Sequence, residues 1–157
     1  MKIVCNYAPL RFLPYRDTGE FVNVGVVVHC PQTGQFDFKL APVKKTKRIS
    51  GFFPGLNVEV FEAALNGAKR ELERIQAEHA VSTSSRNITP ETSKAQMERF
   101  AALVSRREGL LFFGEAGALL SENAKDAMDL LYKRFIERQF ADDSQEQVGA
   151  TTDLAHG

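Results

Sequence analysis

Residues 20–28 read Glu-Phe-Val-Asn-Val-Gly-Val-Val-Val, and no other stretch restricts the fold so tightly. β-Branched residues at this density favour an extended strand. Side chains alternate across a strand, so Val22, Val24, Val26 and Val28 fall on one face and Asn23 and Gly25 on the other. The valine face is expected to build a core. The opposite face offers a polar amide beside a missing side chain, and two readings stand for it. Asn23 can donate and accept at once, and Gly25 lets another group approach the backbone, so together they line a binding pocket. Alternatively, Gly25 marks a β-bulge and Asn23 bonds a neighbouring loop.

The flanking segments extend this strand into a meander. Residues 3–13 form a first strand, closed by Pro14 and the turn chemistry of Tyr15-Arg16-Asp17-Thr18-Gly19. Residues 21–30 form the second. Pro31-Gln32-Thr33-Gly34 connects tightly to a third over 36–40, where Phe36, Phe38 and Leu40 alternate with Asp37 and Lys39. Connections this short demand antiparallel pairing, and the third strand has one wet face.

Helices follow. The basic segment 44–53 is expected to form a short one before Pro54-Gly55. Asn57 caps the next, with Leu56 and Phe61 at hydrophobic-staple spacing. That helix covers 58–80 and buries Phe61, Ala64, Leu65, Ala68, Leu72 and Ile75. Thr89-Pro90-Glu91 opens another, with Met97, Phe100, Ala101 and Val104 inward and Gly109 as its terminator. Residues 110–113 add a fourth strand, which Ala118-Leu119-Leu120 extends. Ser121 caps a last helix over 122–139, buried along Ala124, Ala127, Met128, Leu131 and Phe135.

The fold class is therefore α+β: an antiparallel three- to four-stranded sheet with about three helices packed on one face. The 157 residues suit a single domain over 1–139, large enough to bury a core without staples. Residues 140–157 are acidic, polar and expected to be disordered.

Charge sums to zero, yet residues 1–50 hold eight Lys/Arg against three Asp/Glu. An overall basic footprint for nucleic acid is missing. The local run Lys44, Lys45, Lys47, Arg48 could meet phosphates or an acidic protein surface, although such runs are more often simply solvated. No bilayer-length apolar run and no signal peptide are visible, so a cytoplasmic location is expected.

Cys5 and Cys30 form no CxxC pair and read as buried, reduced thiols. A tight hairpin sets them off register by about two residues, a diagonal gap of roughly 7–8 Å, so no disulfide is expected. With His29, they are too few for a structural zinc site. His29 shares Asn23's face by parity. No metal and no cofactor are expected. No phosphate-binding loop, nucleophile elbow or zinc-protease motif occurs. Catalysis is left open, with a non-catalytic reading preferred.

Arg11, Arg16, Asp17 and Glu20 flank the first turn, and hairpin pairing brings Arg11 close to Glu20 or Asn23. An Arg/Glu/Asn cluster there could hold a phosphate or carboxylate. A salt bridge closing the hairpin is the plainer alternative.

The string Tyr7-x-x-Leu10-Arg11-x-x-Pro14 followed by Gly19-Glu20-Phe21-Val22-Asn23-Val24-Gly25-Val26-Val27-Val28 resembles an uncharacterised bacterial family, domain of unknown function 3037. The resemblance is strongest over residues 7–28 and diffuse to about residue 138. It implies binding residues at Arg11, Glu20 and Asn23, with Gly25 beside them and Arg48 as a fourth polar position. The resemblance also implies a gene neighbourhood, since genes of the family often lie beside genes for HipA-like kinases. That neighbourhood implies an accessory role as a protein partner in a toxin–antitoxin or defence-type locus. The alternative is a small ligand-binding protein or enzyme acting on a nucleotide or nucleic acid through the Arg/Glu/Asn cluster. Residues 110–117 depart from the family pattern, which commonly carries a proline there.

Overall fold

The computed structural model describes residues 1–42, 49, 53, 55–83, 89–105 and 109–138. The basic run at Lys44, Lys45, Lys47 and Arg48, the short helix expected around it apart from Ile49 and Phe53, and the C-terminal tail lie outside these residues. Among the described residues the elements follow in the order β1 (Ile3–Phe12), β2 (Val22–Cys30), β3 (Gln35–Leu40), α1 (Val58–Thr83), α2 (Pro90–Val104), β4 (Leu111–Phe113), β5 (Gly117–Ser121) and α3 (Ala124–Tyr132). A π-helical turn, Lys133–Glu137, continues α3. The fold is α+β, with one antiparallel five-stranded sheet.

Strand order is β3-β2-β1-β4, and β5 also pairs with β1. β4 pairs with Leu10, Arg11 and Phe12, whereas β5 pairs with residues 3–7 of β1. Residues 117–121 thus form a separate strand and do not extend β4. Pro9 explains the break. It lies in the gap between the two partners, and its carbonyl accepts from Gly114 N at 2.8 Å on that side. Its missing N–H points the same way, so a continuous neighbour would lose a ladder bond there.

The valine strand does not keep one parity. Leu10 pairs with Gly25 and Arg11 with Asn23, which leaves Val24 as the extra residue of a β-bulge. Val22, Val24 and Val27 pack with Ala8, Leu10 and Phe12 in one core. Val26, Val28 and Cys30 pack with Ile3 and Cys5 in another. The expected all-valine face is therefore split in two, and Asn23 and Gly25 do not share a face. His29 likewise moves to the face opposite Asn23. Gly25 lies against β3: a Cβ there would sit 2.5 Å from Leu40 Cδ2 and 3.0 Å from the Lys39 carbonyl oxygen.

Because both faces are apolar, helices cover both. Phe61, Leu65 and Leu72 of α1 and Phe100 and Leu103 of α2 close the first core, joined by Ile49 and Phe53. Ala124, Ala127, Met128, Leu131, Tyr132 and Ile136 close the second. The one-face arrangement expected from the meander is thus replaced by three layers, helix–sheet–helix.

Helix starts follow side-chain caps. Asn57 Oδ1 accepts from Glu59 N at 2.9 Å, and Thr89 Oγ1 accepts from Thr92 N at 3.1 Å with Pro90 next in line. α3 is capped by Asn123, whose Oδ1 accepts from Asp126 N at 2.7 Å. Ser121, the expected cap, instead donates to the Asn123 carbonyl.

Two helical stripes differ from expectation. In α2 the buried residues are Gln96, Phe100 and Leu103, while Met97 is 48% exposed. Gln96 turns inward because His29 supplies it a partner, which rotates the stripe by one position. In α3 the π-helical turn adds a residue to the helical repeat, so Tyr132 and Ile136 are buried and Phe135 is half-buried.

Candidate functional site

Tyr7, Arg11 and Asn23 meet on the α3 side of the sheet, at the end where α3 runs into its π turn. β1 alternation puts Tyr7 and Arg11 on this face. The bulge delivers Asn23 opposite Arg11, within the ~4.5–5.5 Å Cβ separation of a directly opposed pair.

Two glycines make room for the larger side chains. A Cβ on Gly114 would lie 2.5 Å from Arg11 Cζ and Nε, so the guanidinium rests on that backbone. A Cβ on Gly117 would lie 2.5 Å from Tyr7 Oη. The Phe21 ring covers the guanidinium, its centroid 4.1 Å from Arg11 Cζ. Tyr7 packs on Phe135 with ring centroids 5.9 Å apart.

Hydrogen bonding at this corner is incomplete. Asn23 Nδ2 donates to the Phe135 carbonyl over a long 3.4 Å. Asn23 Oδ1 and Arg11 Nε are both buried and have no partner among the described residues. A cationic donor and a neutral acceptor thus lie on opposed residues, each desolvated at a cost of roughly 1–3 kcal/mol if it stays unpaired. A fixed guanidinium suits an oxyanion, either carboxylate or phosphate.

The other expected site residues lie elsewhere. Gly25 is on the opposite face, where its missing side chain lets Leu40 and the Lys39 carbonyl of β3 approach. Glu20 is exposed on the β1–β2 turn, its N–H bonded to Thr18 Oγ1, and no ion pair joins it to Arg11 among the described residues. Arg16 Nη2 donates to the Gly109 carbonyl at 3.1 Å and ties this turn to the approach to β4. Arg48 lies outside the described residues.

Sequence reasoning missed Tyr7 as a lining residue, and Gly114 and Gly117 as its floor. The Gly-Glu-Ala-Gly spacing was the available signal, but its meaning depends on β4 and β5 sharing one edge of β1.

A second polar group lies under α1 and α2. His29, His79 and Gln96 are all buried. His29 Nε2 and Gln96 Oε1 are 3.3 Å apart, and the two imidazoles meet edge to face at 5.2 Å. Burial lowers the His29 pKa to about 4, assisted by the nearby His79 and only partly opposed by the Gln96 hydrogen bond. Burial also lowers the His79 pKa. This group is a neutral, packed part of the core. At the far side of β3, Asp37 Oδ1 accepts from Phe38 N and Gln76 Nε2. Burial raises its pKa, with a further contribution from Asp129.

Among the described residues, no group of three or more metal-ligating side chains converges, and no helix is long and apolar enough to cross a membrane.

A family model described as "Protein of unknown function (DUF3037)" matches residues 7–136. The chain belongs to this family. The matched span runs from Tyr7 to Ile136, so it includes both ends of the corner, from the first aromatic to the π turn. No curated protein and no solved structure matches the chain.

Proposed function

We propose that this family member is a non-catalytic binding module that docks a protein partner at this corner, Arg11 Nε donating to an anionic oxygen of the partner and Asn23 Oδ1 accepting from an N–H or O–H beside it. One observation carries the reading: Arg11 Nε and Asn23 Oδ1 are buried, unpartnered among the described residues and on directly opposed positions. Among the described residues, His29 and Gln96 also carry a buried polar atom without a partner, but only at this corner does such an atom belong to a charged side chain. Glu20, the carboxylate that acid–base chemistry at this corner would employ, is exposed on the turn. That favours recognition over the nucleotide-acting enzyme. A HipA-like kinase is the partner class to try first, since the gene neighbourhood implied by the family resemblance suggests it.

Affinity purification of the full chain from its native cells, run beside Arg11→Ala and Asn23→Ala with folding checked by circular dichroism, tests the reading. Wild type should retain one stoichiometric protein. Arg11→Ala should lose it, and Asn23→Ala should weaken retention about tenfold or more, as expected when a partner of a charged hydrogen bond is removed. Equal retention by all three folded proteins would contradict the proposal, as would a wild type that retains none.

A further inference from the structure

Cys5 and Cys30 contradict the register expected for them. Asn6 pairs with His29 in the β1–β2 ladder, so the next positions outward, Cys5 and Cys30, face each other directly. The longer turn and the bulge together remove the two-residue offset. Both side chains are fully buried on the α3 side of the sheet, and their Sγ atoms are 2.7 Å apart. Both are free thiols. Directly opposed strand residues have Cα separations of about 4.5–5.5 Å, inside the range that a disulfide spans. Closing this pair therefore asks for no strand movement.

We propose that Cys5 and Cys30 are an oxidative modification site, a dithiol that a hydroperoxide converts into a cross-strand disulfide. The thiolate sulfur of one cysteine attacks a peroxide oxygen, and the O–O bond breaks. Hydroxide leaves and takes up the thiol proton as water, which yields a sulfenic acid. The second thiolate then attacks that sulfur, the S–O bond breaks, and a second water departs. In sum, two thiols and one hydrogen peroxide give one disulfide and two waters. The second step is favoured because the resolving sulfur already sits against the first. The first step is slow in the closed protein. Burial, with the adjacent thiol, holds the Cys30 pKa well above the ordinary thiol range, and α3 must lift before peroxide enters. The pair therefore reports sustained oxidant or a loosened α3. Its closure fixes the register of the same two strands that carry Arg11 and Asn23.

The full chain is treated with hydrogen peroxide, blocked with a thiol alkylator under denaturing conditions and digested with trypsin without reduction. Peptides 3–11 and 17–39 should appear joined, with loss of two hydrogen atoms, and separate on reduction. All three methionines lie outside both peptides, so their oxidation does not mask the result. Sub-denaturing urea should speed the reaction, and the oxidised protein should melt at a higher temperature than the reduced one. Cys5→Ser and Cys30→Ser should each abolish the joined peptide. Full alkylation of both cysteines after peroxide, in buffer and in sub-denaturing urea alike, would overturn the proposal. Sulfinic acid at either cysteine in place of the joined peptide would do the same.

Discussion

His29 shows how one buried side chain links pH to stability. Its folded pKa, about 4, lies below the ordinary imidazole value of 6.5. Above pH 6.5 the imidazole is neutral whether the chain is folded or not, so stability is at its full level. As pH falls from 6.5 towards 4, the unfolded chain takes up a proton that the folded core refuses, and stability drops. Below about pH 4 both states are protonated and this contribution no longer changes. The predicted loss across that window is on the order of 3 kcal/mol. Urea unfolding at a series of pH values measures it. His29→Gln should flatten the slope relative to wild type; an unchanged slope would show that His29 is protonated freely in the folded protein.

At the scale of elements, α2 gives a clear contrast. Sequence periodicity selects Met97 as inward, but Met97 is 48% exposed, while Leu103 is 5% exposed. Met97→Ala should change unfolding free energy by no more than about 0.5 kcal/mol. Leu103→Ala should cost roughly 2–5 kcal/mol. Thermal or denaturant melts of the two variants decide between the phases, and the reverse ranking would restore the expected stripe. The phase was illegible because it depends on Gln96 finding His29, 67 positions away in the sequence. The α1 stripe was legible, since Phe61, Leu65 and Leu72 are apolar and their partners are too. His79 escaped it because an imidazole reads as polar. β2 illustrates the same limit. Its existence follows from valine density alone, but a bulge is a relation between two strands, and Asn23-Val24-Gly25 reads as regular alternation until Arg11 is set opposite Asn23.

For the molecule as a whole, that one extra residue decides the layering. Flipping the parity of β2 half-way along makes both sheet faces apolar, and a sheet apolar on both faces needs helices on both. It also carries Asn23 to the face of Tyr7 and Arg11 and carries His29 away from it. Of the five residues expected to form the cluster, the proximity of Arg11 and Asn23 was legible from the hairpin. Glu20 was drawn in by its proximity in sequence, and Gly25 by a parity that the bulge breaks. The most direct test of the corner is nuclear magnetic resonance of the wild-type chain titrated with inorganic phosphate at constant ionic strength. The Arg11 Nε–H and Asn23 Nδ2–H resonances should shift together and saturate. Resonances that stay fixed at both positions, or that move no more than those of exposed arginines such as Arg74, would contradict the account.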